Sequence, residues 1–282
     1  MTTNLVLQGP NAALGHLAAL GAQARPTQVV AMSPHAVRCE GVQATPEVVK
    51  QVQTQAMVLG VDATFIEAGR TLRDFGLVAM DMDSTLITIE CIDEIADMQG
   101  LKPQVAEITE AAMRGELDFA ASLTRRVALL EGLEAAALER VYEERLRLSP
   151  GAESMLAAVR AAGLKTLLVS GGFTFFTERL QRRLGLDYAH ANVLEIEDGR
   201  LTGRVVGGIV DADEKMRTVQ RVCGDIGIDT RQAIVMGDGA NDLKMMGIAG
   251  LSVAFRAKPV VRAQADVALN YCGLDGVLAV LA

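Results

Sequence analysis

At 282 residues the chain is longer than one compact domain usually needs, which points to a large core with a smaller unit attached. Half of its residues are apolar and 22% are charged, a balance that excludes extensive disorder. A formal net charge of -8 without any run of lysine or arginine excludes nucleic acid as a partner, whereas a few placed cations or a bound metal could still collect a small anion.

The chain opens on MTTNLVLQGPNAALG, which lacks the basic start and long apolar stretch of a leader, and no later stretch reaches the roughly 20 apolar residues that span a bilayer. A soluble protein of the reducing cytoplasm, with no membrane partner, is expected. Residues 1–72 read as a small N-terminal α/β domain: apolar segments near 4–8, 27–32 and 61–66 have strand character, and 11–22 and 46–58 have helical spacing. His16 falls on the apolar face of the first helix and His35 follows Ser33-Pro34 in a loop. With no acidic or cysteine partner nearby, both are expected to be structural.

From Phe75 onward, short apolar runs end in polar, glycine-rich or acidic sequence and lead into helical stretches, the punctuation of a parallel α/β sheet. The runs are Gly76 to Met80 before Asp81, Thr166 to Val169 before Ser170-Gly171-Gly172, and Ala233 to Met236 before Gly237-Asp238. Open parallel sheets carry their sites at these carboxyl ends. About 85 residues separate the first two runs, far more than a crossover helix needs, and most of 91–147 has helical character. The expected architecture is a Rossmann-like parallel sheet core over 73–282 with an inserted helical cap at about 88–149, ended by Ser149-Pro150-Gly151. Asp198-Gly199, between alternating segments over 192–206, predicts a β-hairpin. Cys39, Cys91, Cys223 and Cys272 form no CxxC pair, so buried or idle thiols are expected rather than a zinc or dithiol site. The Phe173, Phe175 and Phe176 cluster is expected to pack the following helix onto the sheet, and His190 has no evident triad partner.

Asp81-Met82-Asp83-Ser84-Thr85 places two carboxylates two residues apart just beyond a buried strand, and Gly237-Asp238-Gly239-Ala240-Asn241-Asp242 brings further acids from another strand end. Taken singly, the first could be solvated decoration and the second a tight turn. If adjacent strands bring Asp81 and Asp238 together, their repulsion calls for a cation, and a hard oxygen-ligated ion such as Mg²⁺ needs no histidine or cysteine. Ser170-Gly171-Gly172, at the start of a helix, offers a hydroxyl and unhindered N–H groups to phosphate oxygens. Lys215 supplies a positive charge that becomes meaningful only by its order among these motifs.

In that order, Asp81/Asp83, Ser170, Lys215 and Asp238/Asp242 resemble the four motifs of the haloacid dehalogenase-like phosphatases. DMDSTLITIECIDEIAD, VSGGF and VMGDGANDLKM are more specifically similar to the phosphoserine phosphatase family, over residues 75–282. The resemblance implies that Asp81 is the nucleophile and Asp83 the general acid and base of phosphomonoester hydrolysis. It implies Mg²⁺ held by Asp81, Asp238 and the backbone carbonyl of Asp83, with Asp242 supporting bound waters. Ser170, Gly171, Lys215 and Asn241 would meet the phosphoryl group.

Substrate choice would lie in the cap, where the same resemblance assigns Glu90 to an ammonium and Arg126 to a carboxylate, as O-phospho-L-serine requires. Arg125 is the alternative to Arg126, and Glu90 could instead be an acid at a helix N-terminus. Met113 and Phe119 would close over the substrate, and closure would shed bulk water. Residues 1–72 are only loosely similar to the small ACT-like domain of some relatives, which leaves homodimer contact, amino-acid sensing or neither as its role. Two other readings stay open: a phosphatase for another small ester such as phosphohomoserine, and a phosphorylatable signalling module, against which Asp83 and the large cap argue.

Overall fold

The computed structural model describes residues 2–282, apart from the side chain of Met113. The small domain is built from β1 (Thr3–Gln8), α1 (Leu14–Gly21), β2 (Gln28–Ser33), β3 (Ala36–Glu40), α2 (Pro46–Leu59) and β4 (Asp62–Glu67). Its sheet runs β2-β3-β1-β4 and every pairing is antiparallel. Pro46 in the first turn of α2, the Thr45 hydroxyl accepting the Val48 N–H, and left-handed Gly60 at the other end fix that helix. Leu5, Leu7, Leu17, Leu20, Cys39 and Val52 fill the core of this domain, while Val6 and Ile66 face away from it and join the core of the rest of the chain.

Two sequence expectations change here. Strand β3 was not anticipated, because Arg38 and Glu40 break its apolar run; the buried partners Val37 and Cys39 carry the alternation. His16 is exposed rather than on the apolar face, since α1 buries Leu17, Leu20 and Gly21 instead.

The large sheet comprises β5 (Leu77–Met80), β6 (Lys165–Phe173), β7 (Tyr188–Glu197), β8 (Arg200–Val206), β9 (Ala233–Gly237), β10 (Leu251–Phe255) and β11 (Val267–Leu269). Its order is β11-β10-β9-β5-β6-β7-β8, parallel except for the β7/β8 hairpin. Every residue of β5 is fully buried, as expected for an uninterrupted apolar run in a sheet covered on both faces. The chain leaves β5 for β6 on one side and returns through β9 on the other. That reversal places a crevice at the carboxyl ends of β5 and β9. Asp198 and Gly199, with φ of 47° and 75°, make the hairpin turn as the sequence suggested.

Helices α3 (Cys91–Asp97), α4 (Lys102–Met113), α5 (Phe119–Ala128) and α6 (Ala136–Arg140) are inserted between β5 and α7 (Ala152–Ala161). The two linkers to this insertion run side by side: Thr88 N–H donates to the Arg147 carbonyl and Ser149 N–H to the Leu86 carbonyl, each at 2.9 Å. The remaining helices are α8 (Thr174–Leu184), α9 (Ala212–Asp225), α10 (Leu243–Gly247), α11 (Pro259–Arg262) and α12 (Gly276–Val280). Phe173 and Phe176 are fully buried where α8 meets the sheet, in line with a packing role. Among the described residues no helix is long and apolar enough to cross a membrane.

Candidate active site

The chain turns sharply after β5. Leu86 N–H reaches back to the Asp81 carbonyl at 3.2 Å and Ile87 N–H to the Met82 carbonyl at 3.0 Å, closing a wide loop around Asp83. Within it Ser84 has φ of 55°, a left-handed conformation that costs a non-glycine residue about 1 kcal/mol. Its hydroxyl donates to Glu90 Oε1 at 2.6 Å, tying the loop to the start of α3.

Asp81 Oδ1 accepts the Met82 N–H at 2.7 Å and lies 2.8 Å from Lys215 Nζ, while Oδ2 makes no hydrogen bond among the described residues. Lys215 belongs to the first turn of α9, whose start is fixed by the Asp211 carboxylate accepting the Glu214 N–H at 2.8 Å. The ammonium is fully buried and also donates to Asp242 Oδ1 at 2.8 Å. The other oxygen of Asp242 accepts the Asp238 and Gly239 N–H groups, each at 3.1 Å. Both oxygens of Asp242 are thus committed, and the residue braces Lys215 and the loop after β9.

Asp81, Asp238 and Asp242 present carboxylate oxygens within 4.8 Å of one another. Burial, followed by the charge of Asp242, pushes the Asp81 carboxyl well above the usual range despite Lys215, and the same two causes raise Asp238 to about 7. Burial works against the charge on Lys215, but Asp242 and Asp81 outweigh it and hold its pKa above the usual value. One buried ammonium is insufficient for this much negative charge. An oxygen-only donor set short of positive charge fits a hard divalent cation and lacks the nitrogen and sulfur donors typical of zinc. Asp242 spends three hydrogen bonds on Lys215 and the loop after β9, so Asp238 and Asp81 are the side chains better placed to bind such an ion.

Asp83 lies two residues further along the loop, close enough for its charge to act on Asp81. Its Oδ1 accepts the Cys91 N–H at 3.0 Å, and burial together with the charge of Glu90 raises its carboxyl to about 7. The turn after the buried part of β6 abuts it: a Cβ on Gly172 would lie 2.7 Å from Asp83 Oδ2 and 3.1 Å from Ser170 Oγ. Ser170 is fully buried, and its hydroxyl accepts the Gly172 N–H at 2.8 Å. These residues lie within β6, which continues to Phe173, rather than at the start of the helix as the sequence suggested; α8 begins only at Thr174.

The inserted helices overhang this crevice. A Cβ on Gly171 would come within 2.8 Å of the tip of the Phe119 ring, so α5 starts directly above the β6 turn. Arg126 is half-buried and its buried Nε has no hydrogen-bond partner among the described residues, whereas Arg125 is exposed. Burial lowers the Arg126 pKa, and the nearby charges of Asp93, Glu90 and Asp83 oppose that change. Although Glu90 is exposed at the rim, surrounding protein displaces enough water to raise its carboxyl. Asn241 is half-buried in the loop after β9, folded against Gly239. The side chain of Met113, expected near the substrate, lies outside the described residues.

Sequence reasoning assigned no role to three groups that the fold brings here. Thr85 is fully buried with Oγ1 3.5 Å from Asp238 Oδ1, and Cys91 supplies the N–H on Asp83. Lys258 binds the Asp238 carbonyl through its N–H at 3.0 Å, and its charge acts on both Glu90 and Asp238. Lys258 follows the carboxyl end of β10, so the strand-end rule that located Asp81 and Asp238 applies to it too. His190 Nε2 lies 3.3 Å from Glu214 Oε1, a carboxylate that also holds Arg217.

The model of the haloacid dehalogenase-like hydrolase family matches residues 78–247. A phosphoserine phosphatase of Polaromonas sp. strain JS666 is 60% identical over 212 residues, which cover 73% of this chain and 90% of that protein. Among solved structures, a haloacid dehalogenase family hydrolase from Salmonella enterica serovar Typhi superposes with a TM-score of 0.90 at 34% identity, covering 99% of this chain and 98% of its own. A phospho-aspartyl intermediate analogue of phosphoserine phosphatase superposes with a TM-score of 0.69 at 37% identity, covering 74% of this chain and 99% of that one.

Proposed function

The chain belongs to the haloacid dehalogenase-like hydrolases, and from that premise we propose that it is a phosphoserine phosphatase, hydrolysing O-phospho-L-serine to L-serine and phosphate as the last step of L-serine biosynthesis in the cytoplasm. The observation that carries this reading is Asp81, with one oxygen held by Lys215 and the Met82 N–H and the other left without a hydrogen bond. A carboxylate oriented in this way is a nucleophile rather than a brace.

Asp81 Oδ2 attacks phosphorus as the bond to the serine oxygen breaks, and Asp83 delivers its proton to the departing alkoxide. A carboxyl raised to about 7 keeps that proton in about half of the molecules at neutrality, where an ordinary aspartate would have lost it. The phospho-aspartate then accepts a water whose proton Asp83 takes back, and cleavage of the phosphorus bond to Asp81 releases phosphate. Lys215, Ser170, Gly171 and Asn241 hold the phosphoryl oxygens in place through both steps. Asp81, Asp238 and the backbone carbonyl of Asp83 would hold Mg²⁺, with Asp242 in support; when bound, the ion neutralises charge on the phosphoryl group.

Substrate selection falls to the overhanging helices. Glu90 takes the ammonium and Arg126 the carboxylate; the buried, unpaired Nε of Arg126 supports an anionic partner there, and exposed Arg125 is the weaker candidate. Phe119, already against Gly171, and Met113 would close the site to bulk water. Phosphate release from O-phospho-L-serine, measured with Mg²⁺, with chelator, with Asp81→Asn and against other small phosphomonoesters, tests the assignment. Metal-dependent turnover that prefers phosphoserine and disappears in the variant is expected. Preference for another ester would sink the substrate assignment, and release from none would sink the catalytic one.

A further inference from the structure

Contacts remote from Asp81 connect the small domain to the inserted helices. Asp62, the first residue of β4, is 1% exposed. Its carboxylate accepts three successive backbone N–H groups: Asn270 at 2.8 Å, Tyr271 at 3.2 and 3.3 Å, and Cys272 at 2.9 Å. The Tyr271 hydroxyl donates to the Met57 carbonyl and Gln8 Nε2 to the Gly276 carbonyl, both at 2.9 Å. The small domain therefore grips both ends of segment 270–276.

The other side of that segment seats the linker returning from the inserted helices. Leu274 N–H donates to the Pro150 carbonyl at 2.8 Å. Gly151 has φ of 77° and lies so close to the Asp275 carboxylate that no Cβ fits between them. A Cβ on Gly273 would come within 2.5 Å of the Pro150 oxygen. One residue before Pro150, the Ser149 N–H bonds the Leu86 carbonyl of the outgoing linker. Asp62, residues 270–276 and the paired linkers thus form a continuous chain of side-chain and backbone contacts.

Docking two domains requires only complementary surface. A buried carboxylate on three consecutive amides does something narrower, because it dictates the backbone conformation of the segment it holds. We infer that Asp62 is a positioning residue for the cap: by fixing residues 270–272 it sets where Leu274 and Asp275 meet the return linker, and so how the inserted helices seat over Asp81. This rests on their acting as a cap, as proposed above, and is independent of which ester is the substrate.

Hydrogen exchange on the full chain, followed by mass spectrometry, tests the inference. In Asp62→Ala, exchange is expected to rise about tenfold or more in residues 270–278 and also in the linkers at 84–90 and 146–152, while the β5 and β9 peptides stay at the wild-type rate. The KM for O-phospho-L-serine should rise roughly threefold or more alongside. Asp62→Asn keeps the side-chain volume and one acceptor oxygen, and should show a smaller rise in the same segments; it decides the matter if the alanine variant exchanges faster everywhere. Faster exchange at 270–278 with both linkers unchanged in Asp62→Asn would overturn the inference.

Discussion

Lys215 Nζ lies 2.8 Å from Asp81 Oδ1, and both side chains are almost wholly shielded from water. The pair is oriented from two directions, by the first turn of α9 and by the end of β5, and Asp242 completes it at 2.8 Å. Replacing Lys215 with Met should lower kcat on the order of 10²–10³-fold, the usual effect of losing one oriented group that stabilises the transferring charge. It should also cost about 3–5 kcal/mol of stability, because two buried carboxylates lose their cation. Adding Asp242→Asn should recover part of that stability and none of the activity. Urea unfolding and steady-state rates on the two variants check this, and a single variant that keeps a tenth of wild-type kcat would refute the role given to Lys215.

The crowding of carboxylates has a pH signature. Asp83 and Asp238 rise from 3.8 to about 7 in the folded chain, so between these values the native state holds protons that the unfolded state has released. Their contribution to stability is complete below pH 4 and is lost as pH climbs through 7. Without divalent ions the melting temperature should therefore fall from pH 5 to pH 8. Saturating Mg²⁺ competes with the proton on Asp238 and should oppose the trend, stabilising more at pH 8 than at pH 5. Differential scanning fluorimetry with Mg²⁺ and with chelator reads both slopes; a Mg²⁺ shift that is the same at each pH would contradict an ion held by the Asp81 and Asp238 carboxylates.

Much of this site could be read in the sequence because it hangs on apolar runs. Leu77 to Met80 and Ala233 to Met236 are buried at every position, and a parallel sheet obliges whatever follows such runs to meet at one edge. Strand β3 was hidden because Arg38 and Glu40 occupy alternate positions in it, and Arg38 is there to reach the carbonyls of Ala279 and Val280 at the far end of the chain. Asp62 gave no local sign of its role, since its nearest partner is 208 residues away. Periodicity reports which face of an element is buried, and says nothing of what a polar residue at the end of a strand will grip.

Glu90→Gln should reduce kcat/KM for phosphoserine about 100-fold, the scale of removing one member of a desolvated charge pair, while changing turnover of a simple aryl phosphate less than about threefold. Arg126→Met should discriminate in the same way, and Arg125→Ala should leave both substrates unaffected because that side chain faces solvent. Parallel kinetics on the two esters settle the point. Equal losses on both would mean that Glu90 shapes the loop through Ser84, 2.6 Å away, rather than meeting an ammonium.

Gly172 isolates the second half of the reaction. It has none of the positive φ that alanine would resist, so Gly172→Ala acts through its added Cβ alone, 2.7 Å from Asp83 Oδ2 and 2.9 Å from Met82 Cε. The Met82 methyl is the end of a flexible side chain, so the lasting displacement falls on Asp83, the nearest contact, with Ser170 Oγ crowded at 3.1 Å. A displaced carboxyl serves poorly as an acid for an alkoxide and as a base for water, and a loss of about 10²-fold in kcat for phosphoserine is expected. An aryl phosphate departs without much help from an acid, so its first step should survive while hydrolysis of the phospho-aspartate slows. Rapid quenching should then show a burst of aryl alcohol approaching one equivalent per chain, followed by slow turnover. Gly208→Ala, with no atom near its added Cβ, serves as the control and should match wild type. If Gly172→Ala gave no burst and slowed both esters equally, the added methyl would be acting through Ser170, 3.1 Å away, rather than through Asp83.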